Sequence, residues 1–537
     1  MPQAKTVSPV EGGHGHGPRH DYVPPLGSGF IAGRFGRLWP EMTDPLLPSD
    51  AALDALGLAM SEVSKPSTDN ANIPAGYTYL GQFIDHDITL DTTSLDEIAV
   101  DPSALVNFRT PSLDLDSIYG LGPKVQPSLY DRDSPGRASL LLGRTSPAFA
   151  PPGAPPGPDF VGLPHDLPRN HQGLALIGDE RNDENLLVAQ THVAMLRFHN
   201  AIAAKLAGSV PDSGLFDAAR RATVDLYQAM VLRDFLSKLC DVNDIAAAVD
   251  KRRFFRFEEF GAYGPYMPVE FSAAAYRLGH SMVRSVYSHN RIFRPNNAPA
   301  PPASFDLLFL FTAKSGQIGQ VPGPTPANKP TLPGDWIIDW RRFLDFGTTD
   351  TSDGFVLNLS RGIDPFLAKD LHMLPSKGFS PTSPTAASSL AVMNLRRGRK
   401  MLLPAGQDLA RFMGVAVLTP DQVASGPDGA VAKAHGLHTR TPLWYYILKE
   451  AEVVEQGNRL GPLGSLIVAE VFVGLLQGDK TSILGRNPGW RFGQPLPGMV
   501  LPGADVKFTF ADLVAVSAGV LPGDDAATKK TKLSPVG

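Results

Sequence analysis

Cysteine is almost absent from this chain of 537 residues, since Cys240 is the only one. A single cysteine excludes an intrachain disulfide, and it leaves the redox compartment open. The chain also lacks the run of about 18 apolar residues that a membrane-spanning helix needs. Its N-terminus has no apolar signal core, which leaves two interpretations, the cytoplasm or export by a route that needs no such signal.

A strong excess of charge of either sign is missing as well. The formal net charge is -5 and the isoelectric point is near 6.2. This balance argues against nucleic acid or an anionic membrane surface as an obligate partner. The hydrophobic content of 43% is that of a globular protein with a substantial core.

Glycine and proline, in contrast, are abundant, with 52 and 50 residues. Their combined share exceeds the usual value of ~12% and predicts long ordered loops around a core. Residues 1–24 and 523–537 are polar, and we expect flexible tails there. The helical patterns between them are evenly distributed and show no internal repeat, which predicts one domain over residues 25–522.

Apolar periodicity predicts a mainly helical protein. Asp179 is a candidate N-cap for the longest of these helices, which ends near residue 206. The other predicted helices cover 51–60, 79–88, 215–239, 271–283, 442–454 and 463–476.

The stretch Gly81–Thr89 reads GQFIDHDIT and is otherwise apolar enough to be buried. Consecutive helix positions are about 100° apart, so Asp85, His86 and Asp87 point in three directions and cannot converge on one ion. This geometry disfavours a metal hydrolase built on these three residues. Burial without partners would cost several kcal/mol per charge, so other segments must supply cations or a metal.

A second candidate lies between Arg109 and Gly120, where oxygen-bearing residues alternate with others. An extended segment would present all of them to one side, and calcium takes about 6–8 oxygen ligands. From this segment alone a solvated strand edge is the favoured interpretation. The alternating residues are Thr110, Ser112, Asp114 and Asp116.

Three further polar residues can each be explained without a functional role. Arg181 and Glu184 are three apart and would share a helix face, as a surface ion pair does. His280, next to Gly279 on an apolar stretch, is typical of a hydrogen-bonded core histidine.

These motifs occur in the order typical of the haem peroxidase–cyclooxygenase superfamily. From about Arg34 to beyond residue 480 the chain resembles its myeloperoxidase type, in a bacterial-like form. The resemblance implies a large single-domain, mainly α fold with long Pro/Gly-rich loops and little β structure. The matching segments are Gln82–Asp87, Gly178–Glu184, Tyr276–Ser281, Gly362–Phe366 and Asn394–Arg399.

The resemblance implies a role for each residue around a haem b. His86 is the distal acid–base and Arg181 the distal cation, while Gln82 holds the distal water or an incoming halide. His280 is the axial ligand of the haem iron, and Asn394 accepts its other ring proton.

Four charged residues match positions at the haem edge. Asp85 and Glu184 stand where family members can form esters with haem methyl groups. Arg277 and Arg397 match basic positions that pair with propionates or carboxylates.

The resemblance also implies one calcium ion. Its ligands are Asp87, Thr110, Ser112 through its carbonyl, Asp114 and Asp116. The family usually has a hydroxyl residue at the last of these positions, so Asp116 adds a negative charge.

The implied activity is a haem peroxidase that reduces hydrogen peroxide and oxidises small organic donors or halides through a ferryl intermediate. A fatty-acid dioxygenase is the enzymatic alternative, but those relatives place a tyrosine three residues before the proximal histidine. Here that position is Arg277, and Tyr276 stands one residue earlier. A non-catalytic interaction module is the other alternative, and the complete set of site residues argues against it.

Overall fold

The chain folds around a helical core and also forms small sheets, as seen in a computed structural model. The predicted N-terminal tail lies outside the described residues. Those residues are 33–90, 106–107, 109–148, 160–260, 265–294, 302–316, 318, 330–347, 355–374 and 382–536.

Helices dominate the described part of the chain, which confirms the mainly α prediction. No helix in these ranges is both long and apolar enough to cross a membrane. The α-helices are α1 Asp50–Ala59, α2 Gly76–Ile88, α3 Asp116–Tyr119, α4 Leu186–Leu206, α5 Asp212–Met230, α6 Leu236–Leu239, α7 Val242–Asp250, α8 Val269–Ser272, α9 Leu307–Leu310, α10 Leu390–Lys400, α11 Gly406–Met413, α12 Pro420–Val423, α13 Gly426–Ala434, α14 Leu443–Glu455, α15 Pro462–Gly478, α16 Phe510–Ser517 and α17 Ala526–Leu533.

The strands are short and form three small sheets within the described residues. The central strand of the largest sheet, β1, pairs antiparallel with β3 and parallel with β4. In the two-stranded sheets, β2 pairs with β7 and β5 with β6, both antiparallel. The strands are β1 Gly33–Gly36, β2 Asp69–Pro74, β3 Val106–Asn107, β4 Met267–Pro268, β5 Val286–Tyr287, β6 Ala303–Ser304 and β7 Leu359–Arg361.

The core is built around α15, which is buried on every side from Leu463 to Leu476. A helix that is apolar all round belongs in the interior, so its sequence accounts for its place. Helix α14 packs against it, and both contact the segment that carries His280. A separate cluster of buried apolar residues includes Trp336.

Several predicted helices are present with shifted ends. The prediction for 51–60 is confirmed by α1, and α2 begins three residues before the predicted start at Tyr79. The long helix is confirmed as α4, but its N-cap is Asn185, whose side chain accepts from the backbone N–H of Val188. Asp179 caps a separate 3-10 helix, Glu180–Asp183. A π-helical turn joins α5 to α6, so the predicted helix over 215–239 is continuous.

The prediction of one helix over Phe271–Val283 is wrong. Helix α8 ends at Ser272, and Ala274 has φ -137° and ψ -78°, well outside helical values. A 3-10 helix then spans Ala275–His280. Residues three apart eclipse in a 3-10 helix, so Arg277 lies in line with His280.

At the C-terminus the structure differs from the predicted flexible tail. Helix α17 occupies most of 523–537, and Asp525 caps it by accepting from the N–H of Thr528. Leu533 and Val536 are buried in the two hydrophobic clusters. The sequence of this segment has too few apolar residues to indicate a core element. The few that are present nevertheless hold the helix against the core.

Candidate functional site

A cavity of about 500 Å³ lies between α2 and the 3-10 helix Ala275–His280. Its volume falls within the range of roughly 300–1,000 Å³ typical of ligand and cofactor pockets. Apolar walls come from residues such as Phe235, Leu239 and Leu308. The predicted site residues that line it are Gln82, Asp85, His86, Arg181, Glu184, Arg277, His280 and Arg397.

Helix α2 presents the first group of these residues. Its start is set by close packing, because a Cβ atom on Gly76 would lie 2.6 Å from the carbonyl oxygen of Phe343. Its end is set by Thr89, which donates to the Asp85 carbonyl and to Asp85 Oδ1 at 2.8 Å. Burial raises the pKa of Asp85, although the positive charges of Arg181 and Arg277 oppose this shift.

His86 is buried, with 5% of its surface exposed. Its Nδ1 lies 2.8 Å from Asn182 Oδ1, and its Nε2 lies 3.8 Å from Glu184 Oε1. Burial, with the nearby Arg181 guanidinium, lowers the pKa of His86 to about 3. A neutral imidazole at this position can accept a proton, as a general base must.

Arg181 does not pair with Glu184, so the surface ion-pair interpretation is wrong. Its Nε and Nη2 bind the Asp179 carboxylate at 3.1 and 2.8 Å. Nη2 also donates to the carbonyls of His86 and Thr89, at 3.0 and 2.7 Å. These bonds tie the guanidinium to the end of α2, while 18% of its side chain stays exposed at the cavity.

Glu184 bonds to Gln82 instead. Gln82 Nε2 donates to Glu184 Oε1, and Gln82 Oε1 accepts from Asn185 Nδ2 at 3.0 Å. Burial raises the pKa of Glu184 to about 7. An amide nitrogen carries two hydrogens, so Gln82 retains one for a further acceptor.

His280 lies on the other side of the cavity, backed by Asn394 of α10. Burial, with the charge of Arg277, lowers the pKa of His280 to about 3, which keeps a lone pair available for a metal. Asn394 Nδ2 lies 2.7 Å from His280 Nδ1, because Asn394 Oδ1 accepts from Arg277 Nη1 at 2.9 Å.

This orientation differs from the predicted one, in which Asn394 accepts the ring proton of His280. The predicted bond requires the Asn394 amide to rotate by 180° and Arg277 to release Oδ1. A propionate beside Arg277 would draw the guanidinium away and permit that rotation.

The five predicted calcium residues are all buried, so the solvated strand edge is wrong. Carboxylate oxygens of Asp87, Asp114 and Asp116 lie within 4.8 Å of one another. Burial, reinforced by its two carboxylate neighbours, raises the pKa of Asp87 well above its usual range, and burial raises that of Asp114 to about 7. A hard divalent cation relieves this repulsion, so the cluster fits calcium.

The side chains of the other two predicted calcium residues, Thr110 and Ser112, have different hydrogen-bond partners. Thr110 Oγ1 lies 3.5 Å from Asp114 Oδ2, at the edge of the cluster. Ser112 Oγ donates to Asp479 Oδ2 at 3.0 Å, which leaves the predicted ligand role to its carbonyl. Leu115, with φ +59°, interrupts the expected alternation just before Asp116.

Arg109 was missed by the sequence reasoning, although it adjoins the row of oxygen-bearing residues. Its Nη1 donates to Asp116 Oδ1 at 3.0 Å, and its Nε donates to Asp179 Oδ2 at 2.9 Å. Although burial opposes it, the charges of Arg181 and Arg109 hold the pKa of Asp179 well below its usual range. A buried bridge therefore connects the carboxylate cluster to Arg181.

Comparison with known proteins identifies a family. The model of the animal haem peroxidase domain matches residues 92–481, most of the chain. The match begins after α2, so it does not itself include His86. Thyroid peroxidase of Sus scrofa is 25% identical over 412 residues, 72% of this chain and 39% of that protein. The chain thus spans less than half the length of the curated relatives it matches.

Solved structures share the fold. Peroxidase A of Dictyostelium discoideum superposes with a TM-score of 0.56 at 16% identity, covering 93% of this chain and 94% of that one. A fatty acid alpha-dioxygenase of Arabidopsis thaliana gives a TM-score of 0.57 at 14% identity, covering 94% of this chain and 81% of that one. At these identities the likeness shows the fold alone.

Proposed function

The chain belongs to the animal haem peroxidase family, and on that premise we propose that it reduces hydrogen peroxide and oxidises small organic donors or halides. The observation that carries the proposal is the placement of His86, Arg181 and His280 around one cavity. They come from three distant segments and supply a base, a cation and a metal ligand.

Haem fits the residues of this cavity. His280 would hold the haem iron through a neutral ring nitrogen, and Arg277 and Arg397, which also line the cavity, would supply cations for the propionates. Asp85 and Glu184 are the carboxylates that we assign to ester links. Haem, when bound, would supply the redox chemistry, because its iron and ring can hold the oxidising equivalents of peroxide.

The chain's own residues manage the protons of the reaction. His86 Nε2 accepts a proton from the inner peroxide oxygen and returns it to the outer one, which leaves as water. Arg181, held by Asp179, stabilises the charge that develops on the leaving oxygen. Gln82 uses its remaining hydrogen to hold a water or a halide near His86.

A fatty-acid dioxygenase is the second candidate, because alpha-dioxygenases share the fold. Tyr276 lines the cavity, but its hydroxyl donates to the Gly81 carbonyl at 3.3 Å and its ring stacks on Phe271. The 3-10 helix turns Tyr276 away from His280, so peroxidase remains the favoured activity. Rapid oxygen uptake with a polyunsaturated fatty acid, without added peroxide, would reverse this order.

Two variants test the proposal with separate readouts. Arg181→Ala should retain haem by the pyridine haemochrome spectrum but slow the reaction with peroxide by roughly 10²–10³-fold, the usual effect of removing such a stabilising group. His280→Ala should lose haem or shift its spectrum strongly. A wild-type protein that binds no haem, or Arg181→Ala with an unchanged rate, would contradict the proposal.

A further inference from the structure

A chain of three buried side chains extends behind the cavity. His86 Nδ1 lies 2.8 Å from Asn182 Oδ1, and Asn182 Nδ2 lies 3.0 Å from His192 Nδ1. Asn182 and His192 have no exposed surface. The sequence reasoning singled out neither residue, and neither lines the cavity.

Local geometry explains how Asn182 reaches this place. It follows Arg181 in the 3-10 helix Glu180–Asp183. Successive residues of a 3-10 helix are about 120° apart, so Arg181 can meet the cavity while Asn182 points into the core. His192 lies on α4 and packs edge-to-face against Phe83 of α2, with ring centroids 5.8 Å apart.

The chemistry of an amide makes this chain directional. Its oxygen only accepts hydrogen bonds and its nitrogen only donates them. His86 Nδ1 must therefore carry the hydrogen, and Nε2, the nitrogen nearer Glu184, keeps its lone pair. His192 Nδ1 accepts in turn, which places its own hydrogen on Nε2, an atom that lacks a hydrogen-bond partner among the described residues.

We propose that Asn182 selects the His86 tautomer that can accept a proton, and that His192 fixes the orientation of the Asn182 amide. Both are positioning residues. If the amide rotated by 180°, its nitrogen would donate to His86 Nδ1, and the hydrogen would move to Nε2. That tautomer has no lone pair towards the cavity. The inference rests on the proposed role of His86 as the base.

The decisive variant is Asn182→Leu, which keeps the volume but removes both bonds. We expect it to retain haem and to react with peroxide roughly 10²-fold more slowly, within the usual contribution of general acid–base catalysis. His192→Leu should also slow the reaction, whereas His192→Gln, whose side-chain oxygen can accept from Asn182, should recover most of the rate. His199→Leu is the matched control, since His199 is an equally buried histidine of α4 that bonds to Tyr119 instead.

A spectroscopic readout separates positioning from loss of structure. In the diamagnetic ferrous carbon monoxide form of protein labelled with ¹⁵N-histidine, the ring shifts report which nitrogen of His86 carries hydrogen. The His86 signals are assigned by their loss in His86→Gln. The wild type should show hydrogen on Nδ1 alone, and Asn182→Leu should show a mixture of tautomers.

The role of Asn182 and the proposed peroxidase activity can fail separately. A wild type that binds haem but does not react with peroxide overturns the proposed function, while the tautomer measurement still decides the role of Asn182. An Asn182→Leu variant with the wild-type tautomer and rate overturns the inference. If that variant does not bind haem, the His192→Leu and His192→Gln pair decides: equal tautomer populations in the two refute it.

Discussion

Arg109 joins two acidic groups that belong to different parts of the site. Its guanidinium meets Asp116 of the carboxylate cluster and Asp179, the partner of Arg181. Asp116 is one of three buried carboxylates in that cluster, and Arg109 offsets part of the negative charge that they bring together. The two residues form a compensated pair.

Replacing Arg109 by Met should lower the free energy of unfolding by about 3–5 kcal/mol, because it removes the buried cation that Asp116 and Asp179 share. Denaturant unfolding at saturating calcium measures this change. Adding Asp116→Ser to Arg109→Met should recover part of the loss, since it removes one of those carboxylates. Strictly additive effects of the two substitutions would show that the pair is not coupled.

Between helices, the junction of α14 and α15 contains a buried carboxylate. Glu450 Oε2 accepts from the backbone N–H groups of Leu463 and Gly464 at 2.9 and 3.3 Å, and Oε1 has no partner in the described structure. Burial raises the pKa of Glu450 to about 8, although the two N–H groups oppose it.

This shift predicts a pH dependence of stability. An acid whose folded pKa is raised favours folding while it is protonated, so its contribution is fully present below about pH 4.5 and is lost as pH rises towards 8. The slope from this group is at most about 1.4 kcal/mol per pH unit. Glu450→Gln keeps the acceptor and cannot ionise, so its stability relative to wild type should increase between pH 5 and 8. A constant difference across that range would contradict the assignment.

The start of α2 gives a second prediction for a single element. A Cβ atom on Gly76 would meet the Phe343 carbonyl at 2.6 Å, whereas one on Gly81 would meet only the Phe235 ring at 3.4 Å. Gly76→Ala should therefore displace the helix, with lower stability and weaker haem retention. Gly81→Ala should be neutral or stabilising by up to about 1 kcal/mol, from the higher helix propensity of alanine. Equal melting temperatures for the two variants would disprove the packing argument.

For the molecule as a whole, the carboxylate cluster predicts that calcium stabilises the fold. A cation bound only by the folded state adds about 1.4 kcal/mol for each tenfold rise in its concentration above the dissociation constant. Thermal unfolding with calcium and with a chelator measures this shift. A melting temperature that does not respond to calcium would show that the cluster does not bind calcium.

Motifs and periodicity predicted the fold class, the family and most of the helices. The central α15 follows from its continuous apolar sequence, and α1 lies within one residue of its predicted bounds. The break at Ala274 could not be predicted, because the sequence around it keeps a helical period while packing imposes a 3-10 turn.

Most of the predicted site residues reach one cavity or one carboxylate cluster, whereas Asn394 lies behind His280. Their hydrogen-bond partners depend on contacts that are distant in sequence. Arg181 turns to Asp179 rather than Glu184, and Asn182 lies 96 positions from His86. An arginine next to a row of acidic residues was the available signal for Arg109. No local pattern marked His192, whose role exists only once α4 packs against α2.

Three consecutive residues of helix α2 have different contacts. His86 lines the cavity, Asp85 accepts a hydrogen bond from Thr89 at the end of the helix, and Asp87 belongs to the carboxylate cluster. Inserting or deleting one residue within the helix before Gln82 would rotate all three side chains by about 100°, so each of them would lose its present contacts. Mutational libraries aimed at peroxide reactivity must therefore preserve the register of this helix. In this chain, changes to the cavity around His86 and changes to the affinity of the carboxylate cluster for a cation therefore cannot be designed independently.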